Sequence, residues 1–163
     1  PSGQHSEWGQ AALEGFKRLT RDSCLETRQP SLLIQGLEEF NRGEFYECHE
    51  SLERLWMSEP RPIRQLYQGI LQISVACHHL REQRYQPVIT LLERGCGYLE
   101  PFAPACMGVD ISVLLASSAR CLAEVKRLGS ERLDEFDWSL VPTVPLVPSG
   151  ETKLQHKADI ENE

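Results

Sequence analysis

Two neighbouring stretches hold most of the residues whose types and spacing suit chemistry. In FYECHESLERLW, residues 45–56, a histidine and three glutamates fall within ten residues, and in RQLYQGILQISVACHHL, residues 64–80, glutamines and histidines interrupt an apolar run. Helical projection at about 100° per residue puts Phe45, Cys48, Leu52, Leu55 and Trp56 on one core-facing arc. His49 borders that arc and Glu53 follows one turn later, so an imidazole and a carboxylate sit side by side at the edge of a core. Glu50 lies further round, while Glu47 and Arg54 point away. On the second stretch, Ile63, Leu66, Tyr67, Ile70, Leu71, Ile73, Val75, Cys77 and Leu80 cover most of the circumference, which predicts a central, buried helix. The exception is a stripe of Gln68, Gln72 and His79 spanning about 40°, with Arg64 one turn before Gln68. A buried polar group without a partner costs about 1–3 kcal/mol, and the nearest partners for this stripe are His49, Glu50 and Glu53. The expectation is a polar seam between the two helices, built from His49, Glu50, Glu53, Arg64, Gln68, Gln72 and His79.

Two chemistries fit such a seam. One is a closed structural network that fixes helix register, or a stripe that simply faces solvent. The other is a pocket for a small ligand or a divalent metal, with His49, Glu53 and His79 as metal ligands and Glu50 or Glu53 as a general base of metal-dependent hydrolysis. His49-Glu50 is similar to the start of the HExxH zinc motif, but position 53 is Glu rather than the second His. The Glu-x-x-His pairs of di-iron bundles are absent. His78 projects between Tyr67 and Leu71 and reads as a core-edge histidine. Cys48 adjoins His49 but faces the core arc, so no cysteine nucleophile stands out, and Gly95-Cys96-Gly97 lacks the strand and spacing of a phosphate loop.

The elements that must hold these residues are helices. Pro30-Ser31 opens a segment with Leu33, Leu37 and Phe40 at helical spacing, and Asn41-Arg42-Gly43 closes it. A second helix runs from about Glu44 to Met57 and ends at the two prolines of Ser58–Pro62. A third runs from Pro62 to about Gln83, and a fourth from near Pro87 to Leu99 with Gly95 and Gly97 weakening its interior. Asp110 is a natural N-cap for a fifth over Ile111–Leu128. Trp138–Pro142 reads as an extended strap, with Trp56 and Trp138 as core anchors. No Val/Ile/Thr-rich alternation points to a sheet. The expected class is all-α, a compact bundle of about five helices with an extended C-terminal strap. Residues 1–30 read as a weakly helical N-terminal extension, 31–142 as the bundle, and 143–163 as an acidic, disordered tail.

Composition sets the outer bounds. The chain has 163 residues, 40% hydrophobic and 25% charged, enough for one domain with a real core. Its net charge of -7 argues against a sequence-independent nucleic-acid binder. No apolar run approaches the length of a membrane span. Of the six cysteines, Cys48, Cys77 and Cys121 fall in apolar helical patterns, none forms a CxxC pair, and no secretory signal precedes them, so a reducing, cytoplasmic setting is expected. The chain begins at Pro1 and reads as a fragment or processed product, which leaves the plastid stroma as the alternative if a targeting peptide was removed.

The stretches FNRGEFYECHESLERLW, RQLYQGILQISVACHHL and LEPFAPACMGVD together resemble the domain of unknown function 309 family, over roughly Leu32 to Pro142. The family pattern falls here on Glu47, His49, Glu50, Glu53, Trp56, Gln68, Gly69, Gln72 and His79. The resemblance implies a small all-helical protein of bacterial and plastid lineages, without an established activity. It leaves open whether the seam binds a small ligand or holds helices for a protein partner. The FNRGEFYE turn, similar to the start of a tetratricopeptide-type helix pair, favours an interaction module; oligomeric state is not legible.

Overall fold

The computed structural model describes residues 3–26 and 28–147, with backbone alone for residues 3–8. The expected disorder of the acidic tail falls largely on residues 148–163, outside the described set. Helix, with three short 3-10 turns included, accounts for 73% of the structure, and the six α-helices are α1 (Gly3–Cys24), α2 (Ser31–Asn41), α3 (Phe45–Ser58), α4 (Arg64–Arg81), α5 (Tyr85–Leu99) and α6 (Ile111–Leu128). None of the described helices is long and apolar enough to cross a membrane.

The helix ends follow from local chemistry. Gly43 takes a left-handed φ of 78° just past α2, and the amides of Arg42, Gly43 and Glu44 fold back onto the carbonyls of Glu38, Phe40 and Glu39. Such a turn favours glycine because it has no Cβ to clash. α3 then returns antiparallel to α2. At α6, the Asp110 carboxylate accepts the Val113 amide proton at 3.0 Å, as its N-cap position predicts.

α4 is the centre of the bundle, packed between α3 and α5. Leu66, Tyr67, Ile70, Ile73 and Leu80 have no exposed surface. Its approach to α5 is close because two glycines face each other. A methyl group built on Gly69 would lie 2.6 Å from the Leu99 side chain and 3.2 Å from the Gly95 carbonyl. One built on Gly95 would lie 2.8 Å from Ile73 and 3.0 Å from the Gly69 carbonyl. Gly95, which weakens α5 by propensity, thus allows its backbone to touch α4.

Three features depart from expectation. A two-residue antiparallel hairpin, β1 (Ala105–Cys106) and β2 (Val109–Asp110), precedes α6; segments this short show no alternation to detect. Second, Cys24 and Cys106 form a disulfide across 82 residues, tying α1 to the hairpin, whereas the sequence was read as a chain with reduced thiols. Cysteine spacing carries no signal for partners brought together only by tertiary folding, and disulfides persist mainly in oxidising compartments. The free thiols Cys48, Cys77 and Cys121 are buried, as their apolar patterns required.

Third, the strap begins later than expected. Trp138–Leu140 is a 3-10 turn, and the extended run follows it. Trp138 is 45% exposed, resting edge-on against Phe136 at 5.6 Å, so Phe136 and Leu133 anchor this segment instead. The 3-10 turn leaves the indole on the surface together with Asp137 and Ser139, and only Leu140 is partly buried. Further on, the Asn41 side chain holds the backbone N–H and C=O of Val144 at 3.2 and 3.1 Å. The Val147 amide donates to the Gly108 carbonyl at 2.8 Å.

Candidate functional site

The structure divides the expected polar seam between the two flanks of α4. On the α3 flank, His49 closes on its own helix: Nε2 lies 3.5 Å from the Glu53 carboxylate one turn later. The imidazole facing it from α4 is His78, not His79. Phe45, Tyr46, His49, Val75 and His78 line a half-open slot of about 160 Å³. The Tyr46 ring centre is 6.3 Å from that of His49 and 6.0 Å from that of His78, and His78 Nε2 lies 3.3 Å from Glu82. The slot thus holds two imidazoles from facing helices, each backed by a glutamate one turn on.

Glu50 is exposed and belongs to a different surface. With Glu39, Glu47, Glu53 and Arg54 it lines a shallow groove of about 650 Å³ running from α3 toward α2. Glu39, which the sequence reading did not single out, is 6% exposed and accepts a 2.6 Å hydrogen bond from the Ser51 hydroxyl. Ser51 in turn accepts from Gln35 at 3.3 Å, so this chain pins α2 to α3.

Of the rest of the seam, Gln72 faces α5 and Arg64 turns to α3. Gln72 packs at the glycine contact, where a Cβ on Gly95 would come within 3.2 Å of its own. Gln65 donates to the Tyr98 carbonyl on α5 at 3.2 Å. Arg64, at the first turn of α4, reaches back to α3 and lays its guanidinium 4.1 Å from the centre of the Trp56 ring. Arg64, Gln68, Gln72 and His79 are all partly buried. Arg64 Nε, Gln72 Oε1 and His79 Nδ1 are sealed from solvent without a hydrogen-bond partner. Burial, reinforced by the charge of Arg84 and the neighbouring His78, lowers the His79 pKa below the ordinary imidazole value, so the ring favours its neutral form.

The expected partners of the stripe are therefore not its partners. His49 and Glu53 satisfy each other, Glu50 faces another groove, and His79 lies outside the slot that holds His49. Among the described residues no group of three or more His, Cys, Asp or Glu side chains converges to hold a metal ion, so the His49–Glu53–His79 donor set does not assemble. The physical reason is the breadth of α4's apolar surface: with most of the circumference apolar, the projection gives angles but not which neighbour lies at each. The free thiols are held protonated as well: burial pushes Cys48 and Cys121 up to about 12, Cys77 well above its usual value, and raises the partly buried Cys96.

All seven residues lie in α3 and α4, within the segment that a family model matches. Residues 33–91 match Domain of unknown function (DUF309). The DUF309 match spans α2, α3, α4 and the first half of α5. It stops short of the LEPFAPACMGVD segment and of Pro142, so the hairpin, α6 and strap lie outside it. An uncharacterized protein of Aquifex aeolicus (strain VF5) is 32% identical over 57 residues, 34% of this chain and 17% of the relative. Uncharacterized protein YpuF of Bacillus subtilis (strain 168) is 39% identical over 56 residues, 33% of this chain and 32% of the relative. The aligned stretches thus span about a sixth and a third of the lengths of these two relatives.

Proposed function

We propose that the bundle over 31–142 is a binding domain whose ligand or protein partner lies along the α4 stripe of Arg64, Gln68, Gln72 and His79, between α3 and α5. The observation that carries this reading is the row of unmet hydrogen bonds at Arg64 Nε, Gln72 Oε1 and His79 Nδ1. A buried polar group without a partner costs about 1–3 kcal/mol, so a row of them is uncommon in a fold that leaves them unused. A structural seam would have its groups paired within the fold, as Gln35, Ser51 and Glu39 are between α2 and α3. Because the three atoms are sealed from solvent, a partner meets them by displacing the side chains that cover them.

A fragment screen by NMR tests the reading. The ¹⁵N-labelled chain is exposed to a general set of small polar fragments, and the side-chain amides of Gln68 and Gln72 are followed with the backbone of α4. Hits that move these signals while leaving the outer face of α6 unmoved support the proposal. Hits scattered over the surface, or confined to the acidic groove between α2 and α3, contradict it.

A further inference from the structure

We propose that Arg64, laid on the face of Trp56, receives a carboxylate group of the ligand. The proposal rests on the α4 stripe reading above and names the chemistry of its Arg64 end. Its basis is a contrast among the arginines of the described residues: Arg54, Arg94 and Arg120 also have no ion pair but are exposed, whereas Arg64 is partly buried. Arg61 is engaged by Glu59 and Glu26, Arg42 by Glu44 and Glu38, and Arg84 by Glu82. Arg81 donates to the Gly43 carbonyl at 2.7 Å. Arg64 has no carboxylate within ion-pair distance among the described residues, although it is partly buried; its Nε is sealed, so the terminal N–H groups of the guanidinium are the ones a ligand meets.

The Trp56 ring, 4.1 Å beneath the guanidinium centre, fixes the plane of the fork and removes water from one face. A flat cation held in one orientation loses little freedom when a planar oxyanion docks, and it pairs with that anion through two parallel N–H···O bonds. The field around it selects a single negative charge. Glu59 is near enough that Arg64, after the larger influence of Arg61, helps to hold its carboxyl below the usual range. One guanidinium with an acidic neighbour suits a carboxylate better than a doubly charged phosphate. Behind it, Gln68 and Gln72 follow at rises of about 6 and 12 Å along the helix, and amide side chains pair with carbonyl or amide groups. The ligand is therefore a carboxylate followed by polar, amide-like groups. A small organic acid and the acidic residue of a peptide share this chemistry.

The test uses the full chain, ¹⁵N-labelled, with the Arg64 Nε–H and Trp56 indole N–H signals as reporters. Sodium succinate, the tripeptide acetyl-Gly-Gly-Glu and inorganic phosphate are titrated separately at constant ionic strength. The proposal expects saturable movement of both reporters by a carboxylate at a concentration at least tenfold below any phosphate effect. Tighter saturation by succinate assigns a small acid, and tighter saturation by the tripeptide assigns a peptide. Arg64→Lys, which keeps the charge but loses the stacked fork, weakens binding at least tenfold while the backbone spectrum keeps its dispersion. Linear drift equal to that in sodium chloride, phosphate binding as tight as carboxylate, or unchanged affinity in Arg64→Lys overturns the carboxylate assignment. If fragments still bind at Gln72 and His79 in that case, the stripe reading survives it; if both ends fail to bind, both readings fall.

Discussion

Gly95 and Gly97 sit two residues apart on α5 and make a matched pair of probes for the contact that positions the stripe. Replacing either by alanine gives the same gain in helix propensity, about 1 kcal/mol. They differ in what the new methyl meets. At Gly97 nothing lies within 4 Å; at Gly95 the methyl falls 2.8 Å from Ile73 Cγ1, 3.0 Å from the Gly69 carbonyl oxygen and 3.2 Å from Gln72 Cβ. The carbonyl belongs to the α4 backbone and yields only if the two helices separate. Overpacking of this kind costs about 1–3 kcal/mol. Taking the upper half of that range, Gly95→Ala loses about 1.5 kcal/mol net, whereas Gly97→Ala gains up to about 1 kcal/mol, a gap of about 2.5 kcal/mol from the same chemical change. In a chain of this size that separates their melting temperatures by about 5–10 °C. Urea unfolding followed by far-ultraviolet circular dichroism measures both variants, with an unchanged denaturant slope confirming that the unfolded reference is the same. Two variants shifted in the same direction by the same amount would refute the close α4–α5 approach, and with it the placement of Gln72.

Other consequences are more compact. Reducing Cys24–Cys106 releases a loop of 82 residues, which on chain-entropy grounds removes about 4 kcal/mol of stability; unfolding with and without dithiothreitol checks this, and an unchanged midpoint contradicts the covalent tie. His79 has a depressed pKa in the folded state, so its contribution is fully present above the unfolded value near 6.5 and is lost as pH falls through the folded value. Wild type therefore loses more stability than His79→Gln between pH 7.5 and 5, measured by urea midpoints, and parallel losses remove the assignment. Cys48, Cys77 and Cys121 resist a thiol reagent at pH 8 in the native state and react after denaturation, because burial holds their thiols protonated. Rapid native labelling of any of the three contradicts the packing.

What the sequence made legible was local. The Asn41-Arg42-Gly43 turn, the prolines at 60 and 62 and the Asp110 cap mark where helices begin and end, and the apolar spacing of Cys48, Leu52 and Leu55 marks a buried face. These are effects within one or two turns of chain. The neighbours of α4 were not legible, because an almost wholly apolar helix gives no angular clue to which flank meets which partner. For that reason His79 was grouped with His49, while His78 was set aside as a core-edge residue although it shares the slot with His49. The Cys24–Cys106 bond and the Asn41–Val144 clasp join residues 82 and 103 apart, and no periodicity reaches so far. The Arg64–Trp56 stack had a partial signal: both residues sit beside the proline-broken turn between α3 and α4, which brings the end of one helix against the start of the next.

The central claim is that the α4 stripe is kept polar for a partner rather than for the fold. Its most direct test is the unfolding free energy of the double variant Gln72→Met, His79→Leu in the absence of any ligand. Both substitutions replace a group left unpartnered in the fold with an apolar side chain of similar length or volume. The account predicts a domain at least as stable as wild type, because no satisfied hydrogen bond is lost and two buried orphans are removed. A loss of about 3 kcal/mol or more would show that Gln72 and His79 hold the bundle together, and the stripe would then be a structural seam.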